Sequence, residues 1–394
     1  QAQRDPPCIR GRIMTRPVAK GWCPGAYQPM QSGDGLIVRV RPRFARLNAK
    51  QALGLSQASQ RFGNGTIDLT SRGNLQIRGI SDTTYDTLMA ELTELNLLDD
   101  APEIEARRNI LIAPDWAADD DTYTLTLALT RRLDALPALP TKFGFAVDTG
   151  SAPVLTTASA DVRIERDLSG GLLLRADGAT LGRPVCIETA VEMALELAHW
   201  FVQAAKGQSV RMAQLLNTRP LPAVWCQKAP AETRNALVPG PHPLGYVLGA
   251  AFGQIDACAF ETLIRGSGAT GVRLTPWRLF VLETSTSGPW QGFINHPEAA
   301  ELNVSACPGA PACSAASVET RDLAYALSKR TSRSVHVSGC SKGCALPRKA
   351  EITLVGRAGK FDLVRNGCSW DQPKRSDLSA ADVLKLTNET CHAL

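Results

Sequence analysis

Four cysteines in the last third of the chain constrain it more than any other feature: Cys307-Pro-Gly-Ala-Pro-Ala-Cys313 and Ser338-Gly339-Cys340-Ser341-Lys342-Gly343-Cys344. A Cys-x5-Cys pair and a Cys-x3-Cys pair, each set among glycine and proline, can bring four thiolates onto one soft metal centre, because short loops let the backbone turn sharply toward it. Ligand type and spacing fit a cubane 4Fe-4S cluster held by Cys307, Cys313, Cys340 and Cys344. Structural zinc usually takes short knuckles at both ends, and a five-residue gap with two prolines is unusual for it. Between the pairs, residues 314–329 read as a helix whose N-terminus falls at Cys313, where the helix dipole favours a thiolate. Residues 333–337 read as a short strand delivering Cys340 and Cys344, and 351–355 as the next strand.

The other seven of the 11 cysteines (Cys8, Cys23, Cys186, Cys226, Cys258, Cys368 and Cys391) are scattered. One metal site in a reduced compartment fits that distribution better than a disulfide framework, and Cys8, Cys186, Cys226 and Cys258 read as packing residues. At 394 residues, 44% hydrophobic and 21% charged, the chain is long and apolar enough for two to three folded domains. No apolar run is long enough to cross a bilayer, and residues 1–20 mix Arg, Asp and Pro without an apolar core. The expectation is a cytoplasmic protein with no membrane partner. The formal net charge of +5 favours anionic ligands and is too small to imply nucleic acid.

Along the chain, 36–41 reads as a strand with Arg39 and Arg41 on the face opposite Val38 and Val40. Residues 48–62 read as a helix closed by Gly63-Asn64-Gly65, then 66–70 and 75–80 as strands, and 82–98 as an amphipathic helix with Leu88, Leu92 and Leu95 on one side. The pattern returns: 245–250 as a strand, 256–265 as a helix, and 272–275 with 278–282 as paired strands. Leu69-Thr70 and Leu274-Thr275 occupy matching places, so the chain reads as an internal duplication. Between the copies lies a mixed α/β region with a helix striped by Val191, Leu195, Ala198 and Val202, in which His199 reads as a core or boundary residue. The prolines at 220, 222, 230, 239, 241 and 243 mark a semi-rigid linker.

Two further motifs carry less. Gly266-Ser-Gly268-Ala-Thr-Gly271 spells G-x-G-x-x-G, but it follows a helix and enters a strand, the reverse of a dinucleotide turn, and reads as a helix-ending turn. Electrons from a nicotinamide would therefore come through a separate reductase. His296-Pro297-Glu298 has the His-x-acid spacing of a facial iron triad, with His336 as a distant second histidine, though a loop and a short strand are poor places for such a site.

Ser338-Gly339-Cys340-x3-Cys344-x6-Glu351-Ile352-Thr353-Leu354 resembles the signature of the nitrite and sulfite reductase family, in which the last cysteine lies between a 4Fe-4S cluster and a sirohaem iron. The resemblance spans nearly the whole chain. It implies an α+β fold of two ferredoxin-like half-domains and two α/β cofactor domains: half-domain 1 over 21–98, α/β domain 1 over 99–215, the Pro-rich linker over 216–243, half-domain 2 over 244–295 and the cluster-binding α/β domain 2 over 296–394. Leu69-Thr70-Ser71-Arg72-Gly73-Asn74-Leu75-Gln76 resembles the family's anion-binding segment. Arg108-Asn109-Ile110 and Pro140-Thr141-Lys142-Phe143 resemble two further basic positions. Arg72, Arg108 and Lys142 are thereby implied as substrate-facing cations.

Two departures qualify the resemblance. The reductases keep a second lysine two residues beyond the first, where this chain has Gly144, and oxyanion reduction needs concentrated positive charge and proton donors. The last cysteine pair encloses Ser341-Lys342-Gly343 instead of the reductases' Pro-Asn-Gly. Together with Cys23-Pro24-Gly25, these features are similar to members of the family that serve aerobic cobalamin biosynthesis and take a tetrapyrrole as substrate. The resemblance implies a monooxygenase acting on precorrin-3A with dioxygen and NADH, introducing a C20 hydroxyl and a γ-lactone, and a mononuclear non-haem iron beside the cluster. A sirohaem-dependent sulfite or nitrite reductase is the alternative. Arg39 and Arg41, with Arg43 and Arg46 behind them, suit the many carboxylates of a precorrin, since a guanidinium holds a carboxylate bidentately.

Overall fold

The computed structural model describes residues 24–389. The chain divides between Ala299 and Ala300 into two compact units. In the first, β1 (Met30–Ser32) and β2 (Gly35–Val40) lead through a 3-10 turn to β3 (Arg46–Asn48), then come α1 (Ala49–Phe62), β4 (Thr66–Leu69), β5 (Leu75–Ile80) and α2 (Asp82–Glu94). Asn48 caps α1 reciprocally with Gln51, and Ser81 caps α2 with Thr84, which satisfies the first free N–H groups of each helix. The predicted helix over 82–98 stops at Glu94, because Asn96 turns into the left-handed region at φ 53°.

The α/β region follows: α3 (Pro102–Arg107), β6 (Ile110–Ile112), α4 (Asp121–Thr130), β7 (Phe145–Val147), β8 (Val162–Arg166), β9 (Leu172–Ala176), β10 (Arg183–Pro184), α5 (Ala190–Ala205) and α6 (Met212–Leu216). Strands β6, β7 and β8 are parallel, while β9 and β10 add on antiparallel. Helix α5 buries Val191, Leu195 and Ala198 as predicted, but the stripe continues through Phe201, with Val202 half-buried, and His199 is exposed. The Pro-rich stretch is tied down along this sheet by bridges Asp167↔Pro230 and Gly182↔Lys228 and by the Lys228–Asp167 ion pair at 2.7 Å.

The second copy of the core comprises β11 (Gly240–His242), β12 (Gly245–Gly249), β13 (Gln254–Asp256), α7 (Ala257–Ser267), β14 (Gly271–Leu274) and β15 (Leu279–Glu283). The copies exchange a strand. β3 pairs with β14 of the second sheet, and β13 pairs with β4 of the first. The exchanged strands bury Leu47 and Ile255 (0% and 1% exposed), and both sheets share one apolar cluster with α1 and α7. The correspondence reaches single residues. Phe44 and Phe252 share a left-handed turn at φ 55° and 58°, and Gly73 and Arg278 both sit at φ 62°. The Arg78–Asp68 pair of one copy is Glu283–Arg273 in the other, the same two positions with the charges interchanged. Gly268 closes α7 in the left-handed conformation at φ 61°, so the G-x-G-x-x-G run is the helix-ending turn its context predicts.

The second unit holds β16 (Val304–Ala306), α8 (Arg321–Ser328), β17 (Val335–Ser338), β18 (Ala350–Arg357), β19 (Lys360–Gly367), β20 (Arg375–Leu378) and α9 (Ala380–Glu389). Its sheet repeats the topology of the α/β region: β16, β17 and β18 parallel, then β19 and β20 antiparallel. The helix predicted over 314–329 starts only at Arg321, so no helix dipole reaches Cys313. The intervening segment folds back on the cysteine loops instead, with Ala310 N–H on the Val318 carbonyl and Ser317 N–H on that of Gly339. No helix among the described residues is long and apolar enough to cross a membrane.

The exchanged strand β3 is locked by charge. Arg46 donates from Nε and Nη2 to both carboxylate oxygens of Glu283 at 2.5–3.0 Å, and Arg273 donates from Nε to the same group. Burial opposes ionisation of Glu283, but the two arginines hold its carboxyl below the ordinary value of 4.5. A depressed folded value makes the charge stabilising above that pH and progressively lost below it. Glu283→Gln should therefore cost about 3 kcal/mol in urea unfolding at neutral pH, with the gap closing as the solution is taken below pH 4.5. A gap that is absent at neutral pH, or that grows in acid, would contradict the lock.

Candidate functional site

Two arrangements of chemically active residues stand out, one in each unit. In the second unit Cys307 follows β16 directly and Cys340 lies two residues beyond β17, so both pairs begin at the C-terminal ends of neighbouring parallel strands. That is where loops of α/β sheets gather ligands. The loops are stitched together: Gly339 N–H donates to Cys307 Sγ at 3.1 Å, Cys313 N–H to the Gly309 carbonyl at 2.8 Å, and Thr320 Oγ1 to the Cys307 carbonyl. Gly309 bends the first loop at φ 71°, and a Cβ there would meet Thr320 Oγ1 at 2.7 Å, so only glycine fits.

Burial pushes the Cys307 thiol above its ordinary value, N–H groups of Gly339 and Gly309 offset part of this, and Cys313 and Cys340 add like charge. Cys344 is also raised, first by burial and then by the other three cysteines, with Lys342 opposing. The four sulfurs thus feel one another, which is the donor set that a polycationic iron-sulfur core fits. Among the described residues, no three His, Cys, Asp or Glu side chains are close enough to share one metal ion. In a cubane each thiolate binds its own iron, so its sulfurs stand farther apart than the ligands of a single ion. His296 and Glu298 lie exposed in a loop. His336 is fully buried and has no hydrogen-bond partner among the described residues, and burial lowers its pKa to about 4.

In the first unit Arg72 and Arg108 share a crevice, and Arg72 meets the backbone of Lys142. The Thr70 to Asn74 turn, closed by Thr70 N–H on the Asn74 carbonyl, presents Arg72, whose Nη2 donates to the Lys142 carbonyl at 2.9 Å. Arg108 ends α3 and is 9% exposed. Its Nε donates to both Asp99 oxygens at 2.8 and 3.0 Å, while Nη2 reaches Asp99 and the Arg41 carbonyl. Arg72 and Arg108 line one narrow crevice with Asn74 and Ser159. Arg108 and Asn74 also border a cleft of about 270 Å³ that includes Phe44 and Asp99.

Arg39 and Arg41 depart from the simple strand pattern, being 9% and 6% exposed. Arg41 Nη1 donates to the Glu105 carbonyl at 2.7 Å and to Asn109 Oδ1 at 3.0 Å. Asn109 in turn donates to the Thr141 and Phe143 carbonyls. Arg41 therefore supports the segment carrying Lys142. Asp99 and Glu105 had no signal in the sequence: Asp99 meets Arg108 nine residues on, outside any motif, and the partners of Glu105 lie 64 to 79 residues away. Of the scattered thiols, Cys186 and Cys258 are exposed rather than packed, Cys226 is half-buried and Cys368 is buried. Cys8, Cys23 and Cys391 lie outside the described residues.

Residues 28–95 match the model of the nitrite/sulfite reductase ferredoxin-like half domain. A Sinorhizobium protein named precorrin-3B synthase is 31% identical over 90% of this chain and 84% of its own length. The chain belongs to the precorrin-3B synthase family. Its fold is also that of the Mycobacterium tuberculosis NirA protein, with a TM-score of 0.67 over 91% of this chain and 80% of NirA at 17% identity. Membership of the precorrin-3B synthase family agrees with the duplicated α+β architecture.

If the four cysteines hold a cubane, replacing one ligand should remove it. Cys340→Ser purified without oxygen should lack the cubane's iron and sulfide; full retention of both would refute the ligand assignment.

Proposed function

We propose that the chain converts precorrin-3A to precorrin-3B as a monooxygenase, using dioxygen and electrons that originate from NADH and arrive through a separate reductase. The observation that carries this is the 31% identity over 90% of the chain to the Sinorhizobium protein named precorrin-3B synthase. One oxygen atom becomes the C20 hydroxyl and the other leaves as water, consuming two electrons and two protons, while a substrate carboxylate closes the γ-lactone. A 4Fe-4S cluster on Cys307, Cys313, Cys340 and Cys344 would supply single electrons when bound. The mononuclear iron implied by the resemblance has no residues assigned to it.

Arg72 and Arg108, with Lys142 beside them, would hold substrate carboxylates through charge-assisted hydrogen bonds. Asp99 fixes the Arg108 guanidinium before the ligand arrives, so less freedom is lost on binding. Arg41 and Arg39 act behind this face and not as its first contacts. Gly144 bears on the rival sirohaem-dependent sulfite or nitrite reductase. A Cβ at that position would stand 2.9 Å from the Asn109 carbonyl oxygen and 3.8 Å from Arg72 Nη1. A second lysine would force Asn109 aside, so the backbone favours a macrocycle-facing surface with less concentrated charge than a small oxyanion requires.

Turnover of precorrin-3A under ¹⁸O₂ with a reductant should place one heavy oxygen in the product. Label arriving from water, or reduction of sulfite or nitrite by the same preparation with no precorrin turnover, would overturn the reading.

A further inference from the structure

We propose that the turn over residues 367–371 clamps the second cysteine pair and that Ser369 is its positioning residue. The inference rests on the reading of the four cysteines as cluster ligands and goes beyond it. Ser369 is fully buried, and its Oγ donates to the Ser341 carbonyl at 3.1 Å, immediately after Cys340 and three residues before Cys344. The preceding carbonyl, of Cys340, is held by Ser338 Oγ at 2.7 Å. Two successive peptides of the loop are thus oriented by serine hydroxyls, one from inside the motif and one from a turn 28 residues away. Because a peptide is planar and trans, fixing the Ser341 C=O toward Ser369 directs the Lys342 N–H the opposite way.

The turn is built to hold that hydroxyl still. Thr353 Oγ1, fully buried on β18, donates to the Gly367 carbonyl at 2.7 Å. Cys368 N–H donates to Asp371 Oδ2 at 2.7 Å, and Asp371 N–H returns to the Cys368 carbonyl at 3.1 Å. The loop is shaped to receive the clamp. Gly343 turns at φ 63°, and a Cβ there would fall 2.3 Å from Ser369 Oγ and 3.2 Å from the Trp370 ring. Groups that orient the ligands of a metal centre without touching the metal commonly change its affinity 10- to 100-fold.

The test uses the full chain purified without oxygen. Ser369→Ala should keep the wild-type iron and sulfide content, yet lose iron to a chelator about tenfold faster and show altered g values in the EPR spectrum of the reduced protein. Gly343→Ala should give the same signature from the other side, since its methyl group displaces Ser369. Ser328→Ala removes another buried serine hydroxyl, bonded to the Tyr325 carbonyl on α8, and should leave both readouts at wild-type values. Wild-type spectra and chelation rates in Ser369→Ala, or an equal change in Ser328→Ala, would overturn the clamp. Wild-type protein without iron and sulfide would instead overturn the cluster reading beneath it.

Discussion

Neither sheet of the duplicated core is complete without a strand from the other copy. β3 extends the second sheet and β13 extends the first, so the halves cannot separate without exposing two sheet edges and the apolar cluster they cover. The exchange also determines where the basic residues go. Each exchanged strand is entered through a left-handed 3-10 turn, and the turn of the first copy brings Phe44 to the cleft beside Arg108. A long-range pairing of this kind makes the site depend on residues from distant parts of the sequence.

Once duplicated, the two copies took on different chemistry. Arg39, Arg41, Arg43 and Arg46 of the first copy correspond to Val247, Gly249, Ala251 and Gln254 of the second, and Arg72 to Trp277. Trp277 packs on a small apolar cluster with Leu111 and Leu155, where Arg72 faces a polar crevice. The α/β sheets diverged in the opposite sense. By strand register Cys307 of the second unit corresponds to Ala113 of the first, and Ser338, two residues before Cys340, to Asp148. Asp148 is spent on structure, accepting the Val154 and Leu155 N–H groups. One half therefore carries cationic side chains where the other carries uncharged ones, and the other carries thiols at its strand ends.

Much of this was legible in the sequence because local pattern and tertiary demand agree there. The strand and helix periodicity of both half-domains, the matching Leu-Thr junctions and the two cysteine pairs needed no long-range information. Three features were not legible, for physical reasons. The segment after Cys313 looked helical by composition, but its backbone donors are used to tie the cysteine loops together, so the helix starts only at Arg321. Arg39 and Arg41 alternate as an exposed face would, yet partners such as Glu105 and Asn109, contributed by α3 and the residues after it, draw Arg41 inside. The strand exchange leaves the alternation of β3 and β13 unchanged, so nothing in either strand reveals which sheet it joins.

We propose a cubane on four cysteines in a chain whose tetrapyrrole is substrate and not resident cofactor. Absorption and mass analysis of protein purified without oxygen test it most directly. The account predicts the broad envelope of an iron-sulfur cluster, with iron and sulfide at the cubane complement and no tetrapyrrole that survives purification. A Soret band with tightly bound sirohaem would contradict it.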